Sequence, residues 1–99
     1  MYLEVLQSWV ERNRGELEAA GVTVALSQPT QWGKPSQRVL LSTPGREGEV
    51  SVWTSSECEV IVGDVVSGDP DHVHHNATSD SELLDLLDAF RARFVASGR

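Results

Sequence analysis

Across residues 22–77 the apolar side chains of this chain fall mostly at alternate positions, while on either side of that stretch they recur three and four residues apart. Alternation sends successive side chains to opposite faces of a strand, and the longer spacing draws one stripe along a helix. A single change of period in and a single change out restrict the chain to one helix, a run of strands and a second helix.

The first stripe, Leu3, Leu6, Val10, Asn13, Leu17 and Ala20, predicts a helix over 2–20 with Trp9 on its flank. Glu4, Gln7, Glu11, Arg14 and Glu18 take the opposite side, and Gly21 is placed to stop the helix. Asn13 is expected at the margin of the core, bonded to backbone. Val22, Val24 and Leu26 then open a half-buried strand, followed by a loop at 29–35 punctuated by Pro29, Gly33 and Pro35. Strands are expected at 38–43, 49–54 and 59–66, with a turn from Pro44-Gly45 to Gly48 and another at Ser67-Gly68-Asp69-Pro70. A short polar fifth strand over 71–77 suits a sheet edge. Val50 and Val52 share a face, as do Cys58, Val60 and Val62. Matching those faces across a hairpin requires a loop of odd length, because a one-residue slip turns every side chain over. Ser79 and Glu82 form a capping box at the head of the last helix, whose stripe is Leu83, Leu86, Leu87, Phe90 and Phe94.

Loops this short favour an antiparallel meander, since parallel strands need long crossovers. The expected fold is therefore α+β: a single domain over 1–99, with about five antiparallel strands and both helices packed on one sheet face. The other face is left to water or to a partner.

Charge sharpens that expectation. The net charge is −7, and all eight Lys and Arg lie in 1–46 or 91–99. Between them, residues 47–90 carry eleven carboxylates and no Lys or Arg. A one-signed field speeds encounter with oppositely charged partners and repels nucleic acid and anionic membranes. No apolar run reaches the roughly 20 residues of a membrane span. Glu4 stands where a secretory signal would carry basic residues, so a cytoplasmic location is expected. A lone cysteine, Cys58, allows no internal disulfide and is expected in the core.

Chemistry is harder to find. His72, His74 and His75 are the one local group of metal-ligand residues, and His72 and His74 share a strand face. Zinc needs a third or fourth ligand, which Asp64 or Asp69 would have to supply. The plainer reading is a polar edge strand, so no metal and no cofactor are expected. No nucleophile and base pair in a recognisable context, and Gly45 and Gly48 lack the strand-to-helix setting of a phosphate loop. The sequence points away from an enzyme.

A binding surface is the better candidate. If Val50, Val52, Val60 and Val62 face the helices, then Glu47, Glu49, Trp53, Glu57, Glu59 and Ile61 face away. Trp53 and Ile61 would be apolar anchors framed by carboxylates, the usual makings of a binding hot spot. The alternative is that Trp53 is covered by the Gln31-Trp32-Gly33 loop. Glu82, Asp85 and Asp88 add a second acidic surface on the last helix.

The run from Val52 through Trp53-Thr54-Ser55-Ser56-Glu57-Cys58-Glu59 to Val60 leads into Asp64-Val65-Val66-Ser67-Gly68. With Trp9, Ala19-Ala20-Gly21-Val22-Thr23-Val24, the His-containing stretch and the Ser-capped Leu-rich helix, this pattern resembles the TriTu-type immunity proteins of bacterial polymorphic toxin systems. The resemblance implies a small cytoplasmic protein that protects its producer by binding a cognate toxin domain, for instance a nuclease whose basic site grips phosphates. It brings no functional residues with it. Two other classes stand beside it: a secretion chaperone or adaptor for an effector, and a small metal- or ligand-binding domain using the three histidines. The oligomeric state, monomer or weak dimer, is left open.

Overall fold

A computed structural model describes residues 2–30, 33–64 and 70–95. The order is α1 (Tyr2–Ala19), β1 (Thr23–Leu26), β2 (Ser36–Thr43), β3 (Arg46–Trp53), β4 (Glu57–Asp64), β5 (Asp71–Asn76) and α2 (Asp80–Ala92). The five strands form one antiparallel sheet in sequence order, β1-β2-β3-β4-β5, as a meander. Both helices lie on the same face, as the single stripe on each requires.

The core forms between that face and the stripes. Val24, Val39, Leu41, Val50, Val52, Cys58 and Val62 from the sheet meet Leu6, Trp9, Val10 and Leu17 of α1 and Leu83, Leu87 and Phe90 of α2. Trp9 is at the centre of this contact rather than on its flank. It is 1% exposed, and its indole Nε1 donates to Asp88 Oδ1 of α2 at 2.9 Å. A buried indole has one donor to satisfy, and reaching across to a carboxylate both satisfies it and ties the helices together. Ala20, expected on the stripe, is exposed beyond the end of α1. Asn13 lies at the margin and donates to the Trp9 carbonyl at 2.8 Å, as its position suggested.

Several boundaries differ from the sequence reading. The β2–β3 turn is Pro44-Gly45 alone, with Thr43 opposite Arg46, so β3 begins at Arg46 and not after Gly48. The reason is packing. Gly48 is a strand residue over which two aromatic rings close, and a Cβ there would lie 2.9 Å from Phe90, from Phe94 and from the Ile61 carbonyl. Phe90 and Phe94 stack edge to face at 5.3 Å. Strand β2 starts two residues earlier than expected and so brings in Gln37, a 5% exposed polar side chain. Its amide donates to the Ser27 carbonyl and accepts from Gln7, which satisfies it inside the core. Strand β4 also begins two residues early, at Glu57. The β3–β4 loop is Thr54-Ser55-Ser56, three residues, the odd length required by the facing valines. Ser56 takes the left-handed conformation (φ 80°) that three-residue hairpins use to reverse the chain. The expected cover over Trp53 by Gln31 and Trp32, the end of the fourth strand, the turn after it and Asp69 lie outside the described residues.

Candidate binding face

Strand parity decides what the sheet shows on the side away from the helices. With Val39 and Leu41 turned inward on β2, Arg38 and Leu40 turn outward. Register then aligns Leu40, Glu49, Ile61 and His72 across four strands, and beside them Arg38, Ser51, Glu59 and His74. Glu47 lies between Ser42 and Gly63, Trp53 opposite Ser36, and Glu57 opposite Asn76. The structure thus gathers all six residues expected on this face, Glu47, Glu49, Trp53, Glu57, Glu59 and Ile61. None of the described helices covers them.

The carboxylates are balanced in part by Lys34 and Arg38, which the sequence did not mark, and by His72 and His74, which it did. Lys34 pairs with Glu57, and Arg38 Nη1 is 3.5 Å from Glu49. His72 lies 3.5 Å from Glu59, while His74 lies 3.7 Å from Glu59 and 4.0 Å from Glu57. Bonds from Lys34 and Ser55 hold the Glu57 carboxyl below its ordinary range. Four carboxylates outnumber the two cations, Lys34 and Arg38, beside them on this face. Glu47 is the most exposed of the four acids. A groove of about 310 Å³ runs between Leu40, Glu47, Glu49, Ile61 and Pro70, an apolar floor with acidic walls. Leu40, 39% exposed, was legible from the inward parity of its neighbours but is hidden in a hydrophobic Val-Leu-Leu run.

The acids of the last helix do not join this face. They lie across the molecule, and two have internal tasks. Ser79 Oγ accepts from the Glu82 amide at 3.2 Å, the N-cap half of a capping box, while the Glu82 carboxylate reaches one residue past the cap and accepts from the Thr78 amide at 2.8 Å. That backbone bond holds the Glu82 carboxyl below its ordinary range. Asp88 accepts from Trp9. Asp85 alone of the three has no bond to a described residue.

The histidines divide. His72 and His74 point to the outer face and His75, opposite Cys58, to the helix side. Asp64 cannot complete a ligand set with the first two, because it shares the helix-side parity and binds Arg46 Nε at 2.6 Å. That contact holds the Asp64 carboxyl below its ordinary range. Among the described residues no three His, Cys, Asp or Glu side chains gather as metal ligands. Cys58 is fully buried, and burial pushes its thiol pKa up, as expected of a core residue. No described helix is long and apolar enough to cross a membrane.

No curated protein and no solved structure matches the chain. The family model described as immunity protein TriTu matches residues 4–93, from the first turn of α1 to the end of α2. The chain belongs to the TriTu family of immunity proteins.

Proposed function

We propose that this protein neutralises a cognate toxin domain by binding it through the outer face of its sheet, without catalysing a reaction. The observation that carries the reading is the set Leu40, Ile61 and Trp53 held among four carboxylates on a face with no described helix over it. Apolar anchors bury area and carry affinity, and the acidic rim selects and steers a basic surface. A toxin site that normally grips phosphates has that chemistry, so occupying it would block its substrate. Asp85, with Glu82 and Asp88 beside it, is a peripheral contact in this scheme, reached only if the toxin extends around the molecule to α2.

The test is a titration of the toxin domain encoded beside this protein. Trp53→Ala weakens the complex by about 2 kcal/mol or more, roughly thirtyfold in Kd. A loss under roughly 0.5 kcal/mol would remove Trp53 as an anchor. Asp85→Lys, which leaves the sheet untouched, has a smaller effect than Glu47→Lys; the reverse order would move the interface to the helix side.

A further inference from the structure

A meander has two free edges, and here they are treated differently. Strand β1 is four residues long, and Arg14 Nη1 donates to its Val24 carbonyl at 3.3 Å. Strand β5 is six residues long and exposed at every position. Its Val73, 45% exposed, and Leu40 are the exposed large hydrophobics of the described residues. On the helix side a groove of about 570 Å³ opens between β5 and α2, with Val60, Val73, Leu86 and Phe90 in its lining. A free edge of this length presents a row of backbone donors and acceptors ready to pair with another strand.

The side chains of β5 specify which strand. Facing the helix side are Asp71, whose Oδ2 accepts from Arg93 Nη2 at 2.9 Å while no bond to a described residue engages Oδ1, then Val73, and His75, which lies across the groove from Glu82. The antiparallel complement of that pattern is a basic or donor group, an apolar group and an acid, which is the same pattern read backwards. We infer that β5 pairs antiparallel with β5 of a second copy of this chain, with Val73 on the two-fold axis. Asp71 then faces His75 of the second copy, and the converse pair repeats the contact, as an isologous interface requires. Val73 meets Val73 at the open side of the groove. His72 faces His74 of the second copy on the outer side, where Glu59 of each chain already lies within 3.5 Å of His72 and 3.7 Å of His74. A slip of two residues sets Val73 against a polar side chain and loses both Asp–His pairs. A slip of one turns the helix side of one copy toward the solvent side of the other. The pairing joins two five-stranded sheets, with all four helices on one side. It leaves the outer-face anchors free and does not rest on the toxin-binding reading.

Six residues of edge bury less than a standard interface, so the dimer is weak and reversible. Sedimentation velocity on the wild-type chain, from micromolar to near-millimolar concentration, shows a concentration-dependent monomer–dimer equilibrium. Val73→Cys cross-links through the axis on mild oxidation, since directly opposed Cβ atoms of an antiparallel pair start about 4.5 Å apart, and a small closing of the strands brings them within disulfide reach. Asn76→Cys, far from its own copy in this register, does not, and buried Cys58 does not compete. His75→Asp weakens the dimer about tenfold and adding Asp71→His restores it, while Arg93→Ala, which removes the partner of Asp71 within its own chain, leaves the association within about threefold of wild type. A chain that stays monomeric throughout leaves the edge to a strand of another protein and overturns the proposal. So does equal cross-linking at positions 73 and 76, or a double variant no tighter than His75→Asp alone.

Discussion

Single residues hold this fold at points that composition does not mark. Gly48 is the clearest. Two phenyl rings and a neighbouring carbonyl occupy the space where a Cβ would go, so Gly48→Ala forces α2 outward or the strand to bend. Overpacking of this kind costs roughly 1–3 kcal/mol, and a urea titration reads it as a lowered midpoint at unchanged slope. A glycine in a strand pattern invites a turn assignment, and only the rings of Phe90 and Phe94, more than forty residues away in the chain, reveal why it is there. The buried Trp9 indole makes the same point, because its partner Asp88 reads in the sequence as one more solvated acid.

At the scale of elements, local chemistry was legible where the partners are close in sequence. Ser79 and Glu82 announce the start of α2: Ser79 caps the Glu82 amide as that spacing demands, and the Glu82 carboxylate turns back to the Thr78 amide instead of that of Ser79. Ser79→Ala removes the acceptor for the Glu82 amide and costs about 1 kcal/mol, measurable as a fall in Tm. The odd hairpin loop followed from the parity of four valines and a cysteine, because face matching is a constraint the sequence carries explicitly. Strand starts were less legible. Ser36, Gln37 and Glu57 are polar and read as loop, yet Gln37 enters the core on two side-chain bonds and Glu57 on the outer face is tied to Lys34 and Ser55.

For the molecule as a whole, charge sets two measurable dependences. Glu57, Asp64 and Glu82 have folded pKa values depressed by hydrogen bonds from Lys34, Arg46 and the Thr78 backbone respectively. Depressed carboxyl groups bind fewer protons folded than unfolded. Their contribution is therefore complete above the unfolded values of 4.5, 3.8 and 4.5 and is lost as pH falls through the lower folded ones. In thermal melts the part of stability these three carboxyls carry is lost below about pH 5, and Glu82→Gln makes that acid-side decline shallower. The second dependence concerns the complex. If the outer face steers a basic toxin, the association rate falls as salt rises from about 0.05 to 0.5 M while dissociation changes little, which stopped-flow mixing resolves. A salt-independent association rate would remove the electrostatic part of the reading.

The order of elements, the antiparallel meander and the facing of β3 and β4 can be read from the chain alone. Period, turn chemistry and parity are local properties, and short loops leave few ways to connect them. The chain also carries the charge segregation, in which every carboxylate from Glu47 to Asp88 lies in a stretch without Lys or Arg. Which of those acids stay available is set by packing. Packing brought Lys34, Arg38, His72 and His74 against the sheet face and set Glu82 and Asp88 to internal bonds. What a charge does depends on what the fold places within a few ångströms of it, and that distance is not written in the spacing of the chain.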